Sequence, residues 1–204
     1  MTKIVNERSI HEIYHKDMTK VFDVLQGEYA ISSSKNPKSV LATDYIGPCV
    51  CFLGHEPSKE VGFLAHIDPI SKLEESLGNL RKNLRRIGKN LSFNVGIIGG
   101  EFGISNGMVD FLKYSIKNSR KENIKMKLTF EDSLGKNLTI RNAALDLEDG
   151  KLYSYISEIN PYARHMNRKR INEITKISLN ILKNGIIRRK SIEERPLRLI
   201  YFGK

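Results

Sequence analysis

The chain has 204 residues, with 34 Lys/Arg against 23 Asp/Glu for a formal charge of +11, and 40% of it is hydrophobic. That length and composition provide for one sizeable core and exclude a disordered chain, while two cysteines one residue apart, Cys49 and Cys51, exclude a disulfide framework. The first twenty residues are too charged for the apolar core of a signal peptide and no later stretch reaches spanning length, so a cytoplasmic protein without membrane insertion is expected.

Residues 1–20 read as an N-terminal helical extension. Within it, His11-Glu12-Ile13-Tyr14-His15 has the form HExxH, which sets two imidazoles on one helix face beside a glutamate able to activate zinc-bound water. Arg8, Lys16 and Asp17 flank the segment and no third ligand follows, so a solvated helix is the expected state and no metal is assigned. Apolar, β-branched runs over 21–31, 39–45, 49–54, 60–66, 93–98, 124–131, 137–147 and 151–156 predict strands. Leu73, Leu77, Leu80, Leu84 and Ile87 line one face of a helix, opened by a capping box at Ser71 and Glu74. A second helix is predicted over 107–118, capped by Ser105 or Asn106, after a tight turn at Gly99-Gly100. Asp149-Gly150 predicts a two-residue hairpin. After residue 156, twelve Lys/Arg face four Asp/Glu, so +8 of the +11 lies in a basic, partly helical C-terminal extension, 157–204, with a helix over 167–183. The mixture predicts an α+β fold. The extension lacks a nucleic-acid reading motif and interleaved aromatics, so no nucleic acid is assigned as partner; His55 and His165 are expected to be exposed.

The chemistry concentrates between Cys49 and His66. CVCFL and VGFLAH flank GHEPSKE, which reads as a β-hairpin turning at Pro57-Ser58. That turn sets Leu53 against Gly62, Cys51 against Leu64 and Cys49 against His66, and directly opposed side chains stand about 4.5–5.5 Å apart at Cβ. An imidazolium so placed stabilises a thiolate, whereas Cys51 is expected to be buried. The competing account is a buried cysteine and a core histidine bonded to a carbonyl.

GEYA at 27–30, KNP at 35–37, LATDYIGPCV at 41–50 and GFLAHI at 62–67 together resemble the first half of the CheD family. That family has a GEYA-like strand, a T-x-x-x-G-S-C motif and a histidine seventeen residues after the cysteine. Thr43 precedes Cys49 by six and His66 follows it by seventeen, and IIGGEFGIS at 97–105 resembles the family's Gly-Gly segment. Pro48 stands where the family has serine, and HIDPI departs from its H-x-M-L-P.

The resemblance spans 21–156 and implies a CheD-like layered β-sheet core with outer helices, a fold shared with cytotoxic necrotising factor toxins. It implies a Cys-His-Thr deamidase, with Cys49 as nucleophile, His66 as base and Thr43 orienting the imidazole, and with no metal or organic cofactor. Its substrates would be glutamines of methyl-accepting chemoreceptors, with a phosphatase of the CheC type as regulatory partner. A deamidase effector acting on another protein, or a CheD-like binding module without turnover, are the alternatives.

Overall fold

The computed structural model describes residues 18–135, 141–156 and 195–202. Among these residues ten strands form two sheets. β1 (Val21–Asp23), β3 (Val40–Ile46), β8 (Arg141–Asp146) and β9 (Leu152–Ile156) make a four-stranded sheet in that order. The six-stranded sheet runs β10 (Arg198–Phe202), β2 (Glu28–Ser33), β5 (Val61–Ile67), β4 (Val50–Glu56), β6 (Leu91–Glu101), β7 (Ile124–Gly135). Two helices, α1 (Leu73–Arg85) and α2 (Asn106–Asn118), complete a mixed α+β fold. Among the described residues no helix is long and apolar enough to cross a membrane.

Period-two alternation divides the six-stranded sheet between two cores. Tyr29, Phe52, Phe63, Phe93 and Ile97 point to the helices and meet Leu77, Leu80, Leu84, Val109 and Leu112. Phe63 is the hub, with ring centroids 5.1 Å from Phe52 and 5.5 Å from Phe93. The intervening residues Ala30, Cys51, Leu53, Leu64 and Ile98 face the other way, onto Leu41, Ile46, Ala143 and Leu145 of the four-stranded sheet. The order is thus helices, six-stranded sheet, four-stranded sheet.

Several expectations need correction. The run over 21–31 is two strands in different sheets, because Leu25 to Glu28 form a tight turn closed by Glu28 N–H on the Leu25 carbonyl (3.0 Å), with Gly27 at φ 76°. The hairpin between β4 and β5 turns through Pro57 to Glu60, so its centre lies between Ser58 and Lys59 rather than between Pro57 and Ser58. Glu56 takes the Lys59 N–H (2.7 Å) and the Ser58 hydroxyl (2.9 Å), which extends β4 through Glu56 and starts β5 at Val61. The β8–β9 connection is longer than two residues, since Leu145 pairs with Leu152 and the Asp146 N–H meets the Lys151 carbonyl.

The helix caps differ as well. The Ser71 hydroxyl donates to Asp68 Oδ1 (2.7 Å), and α1 begins at Leu73 without a side-chain cap. Ser105 precedes α2, but its hydroxyl is engaged by the cysteine loop. His55, expected exposed, is half-buried in β4 and packs beside Gly150.

Residues 195–202, which fall in the expected C-terminal extension, pack against the six-stranded sheet and its core. Leu197 enters the helix-side core, and β10 pairs in parallel with β2 at the edge of the main sheet. The HExxH segment, His165 and the helix expected over 167–183 lie outside the described residues.

Candidate active site

The site is assembled across the two sheets. Cys51 pairs with His66 and Val50 with Ile67, so the expected register of Cys49 against His66 is corrected by two residues. The cause is the turn's centre, which lies one residue later than expected. A shift of two keeps every side chain on its face. Cys49 therefore stands two residues before Cys51, the direct partner of His66, on the same inter-sheet face, a diagonal relation that longer side chains bridge.

From the facing sheet, Thr43 on β3 reaches His66, its Oγ1 lying 2.6 Å from Nδ1. The same oxygen donates to the Val24 carbonyl at 2.7 Å. A hydroxyl has one hydrogen and a carbonyl can only accept, so Nδ1 must be the donor to Thr43. This leaves the lone pair of neutral His66 on Nε2, a nitrogen buried in the inter-sheet layer. The threonine thus sets the tautomer that a general base at Nε2 requires.

The loop that carries Cys49 is held by its carbonyls. After Thr43, β3 bulges at Tyr45, which takes a left-handed φ of 58° with its N–H on Asn142 Oδ1 (2.9 Å). Gly47, Pro48 and Cys49 follow. Gly100 N–H donates to the Cys49 carbonyl (2.7 Å) and the Ser105 hydroxyl to the Pro48 carbonyl (2.6 Å). The expected turn at Gly99-Gly100 is instead the end of β6 pressed against this loop. A Cβ on Gly99 would stand 2.9 Å from the Cys49 carbonyl and closer still to Ile46, at a φ of 85° that disfavours a side chain.

The two cysteines differ in surroundings. Burial pushes the Cys51 thiol far above its ordinary pKa, consistent with an inert core residue. Cys49 is also buried, at 3% exposure, but touches polar groups: Gln26 Nε2 lies 3.4 Å from its sulfur. Glu28 pairs directly with His66 from the other side, accepts the Leu25 N–H (3.2 Å), and is ion-paired with the Arg198 guanidinium. The structure thus gathers Cys49, His66 and Thr43 in one neighbourhood and adds Gln26, Glu28 and Arg198. Gly27 signals a turn beside Gln26, yet nothing in linear spacing brings residue 26 to residue 49. Among the described residues no cluster of three or more His, Cys, Asp or Glu could hold a metal ion.

No family model matches the chain. It is 25% identical over 150 residues to the uncharacterized protein R721 of Acanthamoeba polyphaga mimivirus, an alignment covering 64% of this chain. The chain spans 56% of that relative's length.

Proposed function

We propose that the protein is a thiol-dependent glutamine deamidase of the CheD type, acting on methyl-accepting chemoreceptors, with Cys49 as nucleophile, His66 as base and Thr43 as the residue that orients it. The observation that carries this reading is the bond between Thr43 and His66 Nδ1 across the two sheets (2.6 Å), which directs the basic nitrogen away from Thr43 on the face that Cys49 shares. A core histidine merely satisfying its polarity has no need of a tautomer fixed beside a thiol.

In the reaction, the Cys49 thiolate adds to the substrate carboxamide carbon and the C=O electron pair moves onto oxygen. The oxyanion collapses, the C–N bond breaks, and protonated His66 supplies the proton with which ammonia leaves. Water then attacks the thioester as His66 takes its proton, a second oxyanion collapses, and the S–C bond breaks. The balance is carboxamide plus water to carboxylate plus ammonium.

A chemoreceptor cytoplasmic helical bundle incubated with the protein is expected to release ammonia and acquire glutamate at specific glutamines, read by peptide mass spectrometry. Cys49→Ala should abolish both. Conversion that persists in Cys49→Ala would sink the assignment. The 3% exposure of Cys49 favours one second reading, a CheD-like binding module. A binder would retain the receptor on a column and release no ammonia.

A further inference from the structure

We propose that Gln26 is a catalytic residue, the side-chain donor that holds the oxyanion as Cys49 adds to the substrate. The proposal rests on the deamidase reading and adds to it a residue drawn from neither the Cys-His pair nor the threonine.

Three observations converge on Gln26. Its Nε2 lies 3.4 Å from the Cys49 sulfur. The oxygen of a tetrahedral adduct forms on the carbon bonded to that sulfur, so an N–H already beside the sulfur needs little displacement to meet it. Next, the turn carrying Gln26 is fixed on three sides. Glu28 N–H closes it on the Leu25 carbonyl (3.0 Å), Gly27 N–H donates to the His66 carbonyl (2.9 Å), and Arg198 N–H donates to the Gly27 carbonyl (3.0 Å). The donor's backbone is therefore tied to the strand that carries the base, and fixing the donor beforehand is what makes such stabilisation effective. Finally, Pro48 has no N–H, so the residue before the nucleophile cannot supply a backbone donor. A carboxamide reaching in from a separate turn fills that need.

The atoms balance without a co-reactant. Gln26 donates a hydrogen bond and transfers no proton. The negative charge it stabilises arises from the C=O pair when the S–C bond forms and is lost when the C–N bond breaks.

The test compares wild type, Gln26→Ala and Gln26→Glu, using two readouts on the full chain. Iodoacetamide alkylation of Cys49 forms no oxyanion, whereas ammonia release from the receptor bundle does. Gln26→Ala loses the weak N–H contact to the sulfur and is expected to alkylate within about threefold of wild type, to keep its KM, and to lose about 10²-fold in kcat. Gln26→Glu preserves size while removing the amide donor and adding negative charge, and is expected to lose at least as much. Should Gln26→Ala release ammonia at the wild-type rate, the oxyanion role is overturned while the deamidase reading stands. Alkylation and turnover falling by the same factor would assign Gln26 to the thiol itself and overturn the role equally. A mass gain at residue 26 of the wild type, absent from Cys49→Ala, would make Gln26 a self-substrate and also sink it. Wild type that neither alkylates selectively at Cys49 nor releases ammonia removes the deamidase reading, and this proposal with it.

Discussion

His66 and His55 sit on adjacent strands and the same face of the six-stranded sheet, at opposite ends of the layer between the sheets. His66 meets Thr43 at 2.6 Å and shares its end of the layer with Cys49. His55 instead abuts the β8–β9 turn, where a Cβ on Gly150 would stand 2.4 Å from its Nδ1, and burial lowers its pKa. The pair teaches that a histidine drawn into this face is not by itself a sign of chemistry. What separates the two is a tautomer-setting hydroxyl and a nearby thiol, and both belong to His66.

The largest expected effect breaks that comparison directly. His66→Ala should slow iodoacetamide labelling of Cys49 near neutral pH by at least about tenfold, because the imidazolium that stabilises a thiolate is gone, while His55→Ala should leave the rate unchanged. Equal effects would erase the distinction. Thr43→Val comes next. It strands the buried Val24 carbonyl and frees the imidazole, so it should cost about 1–3 kcal/mol in denaturant unfolding and slow turnover as well.

Gly150→Ala probes the other end. The φ of 66° disfavours a side chain and the new methyl would meet His55, for an expected loss of about 1–2 kcal/mol with Cys49 labelling unaffected. The smallest effect is a pH dependence. With its folded pKa below the unfolded value near 6.5, His55 takes up a proton in the unfolded chain first. Its contribution to stability is therefore full above about pH 6.5 and is lost as pH falls through the window below it. Melting scans across that window should show a shallower decline for His55→Gln than for wild type, and parallel curves would remove His55 as the cause.

Much of the inter-sheet face was legible because period two is robust. Cys49, Cys51 and His66 share a face whether the hairpin register sums one way or is shifted by two, so a misjudged turn left the grouping intact. The turn's centre is not legible, since it depends on the Glu56 carboxylate capping Lys59 N–H, a choice Pro57-Ser58 does not announce. Both helix starts are legible within two residues, but the Ser71 hydroxyl goes to Asp68 three residues before it, and that of Ser105 to Pro48 in a tertiary bond that no local pattern encodes. Gln26 escaped notice for the same reason. So did β10, whose short RLIYF run carries no mark that it will pair in parallel with β2 rather than belong to the basic tail.

That last strand has a consequence for biosynthesis. Arg198 and Glu28 are 170 residues apart, so the outer edge of β2 cannot be covered until the ribosome has delivered the segment that forms β10. Throughout that interval the nascent chain presents an unpaired strand edge, open to pairing with a neighbouring polypeptide. The strand opposite His66 is thereby among the last to be closed, and a chain truncated before Arg198 would leave that edge without its β10 partner.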